Sequence, residues 1–195
     1  MHKGRLEAFS DAVIAILMTI MVLELRAPAH TDFAALRDVL PLFLTYLLSF
    51  VFLGIYWNNH HHLLQASQRV NGGILWANMH LLFWLSLFPF ATQWMGEHKL
   101  SAVPVATYGA VSLLAAIAYY VLQTAVVAAQ PAEWPMGAAL GRDMKGKISP
   151  VVYLAGIVLA FVNPWVSVAL YVAVALMWLV PDRRMEAVVL DRSVQ

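Results

Sequence analysis

The chain has 195 residues, 62% of them hydrophobic and only 12% charged. A soluble domain carries about twice that charged fraction, and a disordered chain is far more polar, so both classes are excluded. The formal charge of +1 supplies no basic field for nucleic acid, and the absence of cysteine removes disulfides, thiol nucleophiles and thiolate metal sites. The composition is that of an integral membrane protein, and the length suits six spans of about 20 residues each.

Six apolar segments follow in order: about 6–25, 39–64, 74–95, 103–129, 148–162 and 165–180. The fifth is short by the length criterion, so a re-entrant segment is its structural alternative. Asn163-Pro164 predicts a tight turn into the sixth. Charge placement tests the count independently. With a cytoplasmic N-terminus, Lys3, Arg5, Arg69, Arg142, Lys145, Lys147, Arg183, Arg184 and Arg192 share one side. Arg26, Arg37 and Lys99 occupy the other, a split of nine against three. This is the asymmetry the positive-inside rule requires for both termini in the cytoplasm, and an odd number of spans would blur it. Ala27-Pro28-Ala29 has the form of a signal cleavage site, but Asp11 and Glu24 interrupt the preceding segment. The first segment therefore reads as a retained helix. No internal repeat is evident. The expectation is an all-α chain, a single six-helix transmembrane domain over 1–195.

Advancing about 100° per residue, Ile16, Thr19, Ile20 and Leu23 share one stripe roughly 100° wide. Ser10 and Asp11 lie about 120° and 140° from Ile16, on either side of the opposite face. Periodicity alone reads the isoleucines and Leu23 as packing residues and Thr19 as bonding a carbonyl one turn back. Asp11, costly within a span, reads as a buried ion pair or cap toward Arg5 or the histidines of the second span. Trp57, His60, His61 and Asn78 fall at the same membrane depth. Unpaired polar groups in lipid cost several kcal/mol each, so this set is expected to satisfy itself. Three consecutive histidines, His60 to His62, point about 100° apart and cannot all face one ion. A polar network is favoured over a metal site, and histidine titration near neutral pH would make it pH-sensitive. Phosphate-binding, H-E-x-x-H and G-x-S-x-G motifs are absent, so nothing points to an enzyme. T-V-G-Y-G is absent too, so a channel here has no carbonyl selectivity filter of that kind.

Several of these residues form a pattern. Arg5-x-x-x-Phe9-Ser10-Asp11 followed by Ala15-Ile16 and Leu23-Glu24 resembles the first-helix signature of the transmembrane protein 175 family, which comprises lysosomal potassium channels and their prokaryotic relatives. Trp57-x-x-His60-His61-x-Leu63, Leu75-Trp76-x-Asn78 and Leu87-Phe88-Pro89-Phe90 resemble its second- and third-helix patterns. The specific motifs cover about the first 95 residues.

The resemblance implies a potassium-selective channel of the cell membrane, a homotetramer embedded in lipid. Its central pore is lined by the first helix and narrowed by rings of apolar side chains. Carried over by position, Ile16 is the constriction, Leu23 a further apolar ring and Thr19 a hydroxyl ring, with Ile20 sharing the lining. Arg5, Phe9, Ser10 and Asp11 pack against Trp57, His60, His61 and Asn78 to hold the pore helix. No cofactor is expected, potassium being the permeant species. His62 and His80 depart from the family pattern, and the single signature means that four copies are needed. The competing reading is a proton-coupled secondary transporter using Asp11 and the histidine cluster, although broken helices and paired repeats are not evident.

Overall fold

The computed structural model describes residues 3–28, 30–131 and 144–179. Arg142, Arg183, Arg184 and Arg192 of the charge count, and most of the polar connection after Gln130, lie outside the described residues. Among the described residues seven helices follow in order: α1 (Lys3–Leu23), α2 (Ala35–Ala66), α3 (Gly72–Ser86), α4 (Phe88–Glu97), α5 (Ala102–Ala128), α6 (Met144–Leu159) and α7 (Pro164–Leu179). Among the described residues there is no strand. α1, α2, the α3–α4 pair and α5 are long and apolar enough to cross a membrane. α6 and α7 are described over 16 residues each.

The element boundaries follow from local chemistry. Asn71 starts α3 by accepting from the Ile74 amide at 3.0 Å, and Asp32 accepts from the Ala35 amide at 2.9 Å at the start of α2. The expected Asn163-Pro164 turn is present: α7 begins at the proline, and Asn163 Oδ1 accepts from the Trp165 amide at 3.0 Å. The third apolar segment is one helical stretch with a break. Pro89 cannot donate a backbone bond, and the chain passes through Leu87 before α4 resumes. Lys99 and Leu100 take φ of 48° and 59°, a left-handed conformation unfavourable for a bulky residue. Burial of the Leu100 side chain and its amide bond to the Met95 carbonyl at 3.1 Å hold this turn.

The core draws on α1 to α7, and its aromatic part lies between α2, α4, α5, α6 and α7 at Phe52, Phe88, Tyr108, Tyr153 and Tyr171, whose rings meet at 5.7–6.5 Å. A buried hydroxyl cluster crosses three helices. Ser49 Oγ lies 2.6 Å from Thr92 Oγ1, 3.0 Å from Tyr108 Oη and 3.0 Å from the Thr45 carbonyl. α5, α6 and α7 approach closely at Gly109 and Gly156, which flank Tyr171, the small-residue packing that membrane helices favour. A methyl group at Gly109 would overlap the Tyr171 hydroxyl. Gly109→Ala is therefore expected to destabilise the protein by about 1–3 kcal/mol, read as a lower melting temperature in detergent; Gly54→Ala, which meets open space, is the control.

Candidate pore helix and its polar anchor

α1 packs on α2, α3 and α4 and buries one stripe only: Leu6, Ser10, Ile14, Leu17 and Met21. The stripe opposite is open. Ile16 is 55% exposed, Ile20 38% and Leu23 81%, and Thr19 lies among them. Thr19 Oγ1 donates to the Ile16 carbonyl at 2.8 Å, the local bond that periodicity suggested. The three apolar residues do not pack into the subunit's core.

The buried side of α1 is held by a directional relay. His60 Nε2 donates to Asn78 Oδ1 at 2.7 Å, Asn78 Nδ2 donates to Ser10 Oγ at 2.9 Å, and Ser10 Oγ donates to the Leu6 carbonyl at 2.9 Å. Ser10, His60 and Asn78 are fully buried, and each proton in this chain has one acceptor, so the bonds polarise one another. His60 Nδ1 has no partner among the described residues. The relay joins α1, α2 and α3 at one depth.

A second set of contacts runs along the α1–α2 seam. Trp57 Nε1 donates to Asp11 Oδ1 at 3.0 Å, His61 Nδ1 lies 3.0 Å from Glu7 Oε1, and Lys3 Nζ donates to the Gln65 carbonyl at 2.9 Å. Each step of four residues along α1 is matched by a step of four back along α2, the register of two antiparallel helices meeting once per turn. Trp57 stacks on His61 with centroids 6.0 Å apart and planes at 18°.

Six of the eight residues expected in the network are thus brought together: Ser10, Asp11, Trp57, His60, His61 and Asn78. Arg5 and Phe9 are not. Both are exposed and form no hydrogen bond or ion pair among the described residues. The reason is angular: Phe9 and Arg5 precede Ile16 by seven and eleven residues, which sets each within about 20° of it on the helix. They belong to the open stripe, and Asp11 pairs with Trp57 rather than Arg5. Glu7 and Lys3 were not singled out from the sequence. Their signal is the four-residue spacing of Lys3, Glu7 and Asp11 opposite Trp57, His61 and Gln65. Among the described residues no group of three His, Asp or Glu side chains gathers as a metal site.

A bundle of apolar helices with most of its buried polar groups paired internally is that of a multi-pass membrane protein. Residues 5–89 match the family described as endosomal/lysosomal potassium channel TMEM175. A protein of Chryseobacterium sp. (strain P1-3), named a potassium channel, is 50% identical over 186 residues, which is 95% of this chain and 97% of its own length. A potassium channel of Chamaesiphon minutus is 30% identical over 189 residues, 90% of this chain and 92% of its own. The crystal structure of a lysosomal potassium-selective channel TMEM175 homolog from Chamaesiphon minutus superimposes with a TM-score of 0.80 at 26% identity. That superposition covers 92% of this chain and 97% of the other. The chain belongs to the TMEM175 family. Its family is one of ion channels, not enzymes.

Proposed function

We propose that this protein is a potassium-selective channel of the cell membrane, a homotetramer in which four copies of α1 line a central pore. The observation that carries the reading is the open stripe of α1. A helix anchored by buried polar bonds on one side leaves Ile16, Thr19, Ile20 and Leu23 exposed on the other, a side open to a partner. Around a fourfold axis, the partner is the same stripe of three other copies. The subunit is one six-span unit over 1–195, with α3 and α4 forming the third span and α6 and α7 the fifth and sixth. Both termini are cytoplasmic, in keeping with the distribution of lysine and arginine.

In this reading Ile16 forms the narrow ring, Leu23 a second apolar ring toward the far end, and Ile20 the lining between them. An apolar constriction gates by dewetting: water and ions are excluded until it widens. Thr19 contributes a hydroxyl ring next to the constriction. Its proton is spent on the Ile16 carbonyl, so its oxygen lone pairs face the pore as acceptors for a partly dehydrated cation. The relay through Ser10, Asn78 and His60 and the seam at Asp11 and Trp57 fix the rotation of α1. Using the buried polar groups to hold helices leaves them poorly suited to carrying protons between two sides, which favours a channel over the transporter.

Potassium flux in liposomes tests this. Efflux is expected to follow the potassium gradient with no proton gradient imposed, and Thr19→Val, isosteric but without the acceptor, is expected to lower potassium over sodium selectivity. Flux that requires a proton gradient, or a reversal potential unmoved by the substitution, would contradict the assignment.

A further inference from the structure

A groove of about 500 Å³ runs along the outside of the bundle between α2 and α7. Leu40, Leu44 and Val51 of α2 face Val172 and Leu176 of α7 across it, and Arg37 is the single charged residue in its lining. Trp165 lines the same end of the groove as Arg37, because the two helices run parallel. Asp38, the neighbouring acid, does not line it. Arg37 is exposed and forms no ion pair among the described residues.

The dimensions and chemistry point to one occupant. Arg37 to Val51 and Trp165 to Leu179 each span 14 helical rises, about 21 Å of helix. Half of a bilayer, from midplane to the outer edge of the headgroups, is about 20–22 Å. The groove is therefore one leaflet long, aliphatic along its length, and cationic only at one end. Tryptophan at that end sits where an amphipathic ring prefers the headgroup level. The first turns of α2 and α7 lie there as well, and their amide dipoles favour an anion.

We propose that this groove binds an acyl chain of one anionic phospholipid, whose phosphate is held by Arg37. The proposal rests on the membrane character of the chain and not on the pore assignment, and ion flux enters neither of its readouts.

The test uses the full-length protein, purified and stripped of lipid in detergent. It is titrated with phosphatidylglycerol or with phosphatidylcholine of the same chains, and retained lipid is counted by native mass spectrometry. One basic residue near a headgroup plane is expected to favour phosphatidylglycerol about five-fold. Arg37→Gln should remove that preference while leaving chain binding in place. Val172→Trp should fill the groove and reduce retention of both lipids, whereas Val121→Trp on the outer face of α5 should change neither. Arg37→Gln alters an exposed side chain, so it carries the test even if Val172→Trp folds poorly. A preference that survives Arg37→Gln would overturn the proposal, as would equal retention of the two lipids by the unmodified protein. So would a Val172→Trp variant that changes oligomeric mass with retention intact, since a second copy would then be the occupant.

Discussion

Ile16→Ala is expected to raise ion flux through the reconstituted protein by about tenfold and to lower its preference for potassium over sodium. The barrier at an apolar ring is the cost of wetting it, and in the proposed tetramer truncating four isoleucines both widens the ring and removes the surface that excludes water. Lowering that barrier by only about 1.4 kcal/mol gives a tenfold rate change. The same substitution should leave the fold nearly untouched, because Ile16 is 55% exposed within the subunit. Its neighbour is the contrast. Leu17 is 7% exposed on the buried side, and Leu17→Ala should cost about 2–5 kcal/mol of stability while leaving the selectivity of the protein that still folds unchanged. Flux and reversal potential separate the two faces of one helix at adjacent positions. Equal effects of the two substitutions on selectivity would place the pore elsewhere.

Asn78→Ala is expected to be the most destabilising single change in the polar anchor. Asn78 is the middle of the relay, so its loss removes two side-chain bonds at once. It leaves His60, whose Nδ1 already has no partner among the described residues, without its remaining one. Polar bonds between membrane helices average about 0.6 kcal/mol each, but an unsatisfied buried group adds about 1–3 kcal/mol. The second effect dominates and gives a loss of about 2–4 kcal/mol. Asp11→Ala should cost less, because its partner Trp57 is 44% exposed and finds other acceptors. Thermal unfolding in detergent and the tetramer fraction by size-exclusion chromatography check both substitutions. An Asn78→Ala protein of normal stability with altered selectivity would mean that the polar side of α1, not the isoleucine side, faces the ions.

Much of this was legible in the residues themselves. Helical periodicity separated Ile16, Thr19, Ile20 and Leu23 from Ser10 and Asp11, and the bilayer's intolerance of unpaired polar groups predicted that Ser10, His60 and Asn78 would meet. The Asn163-Pro164 turn was visible because proline and asparagine act locally. For Arg5 and Phe9 the motif and the helical angle point to different faces: both stand within about 20° of Ile16, and both are exposed in the subunit. The α1–α2 seam was missed in part because the register of two antiparallel helices is a tertiary fact. Lys3, Glu7 and Asp11 carry a four-residue spacing, but only packing reveals that Gln65, His61 and Trp57 answer it. The groove beside Arg37 was equally hidden, since it needs α7 brought against α2 from more than a hundred residues away.

The protein contains no cysteine, so single cysteines can be introduced without a background. The most direct test of the pore helix is block by a membrane-impermeant, charged thiol reagent of reconstituted Leu23→Cys and Leu17→Cys channels during potassium flux. The account predicts rapid, complete block at Leu23→Cys, whose side chain is 81% exposed on the proposed pore stripe, and none at Leu17→Cys, whose side chain is packed against the bundle. Block at Leu17→Cys with Leu23→Cys unaffected would contradict it.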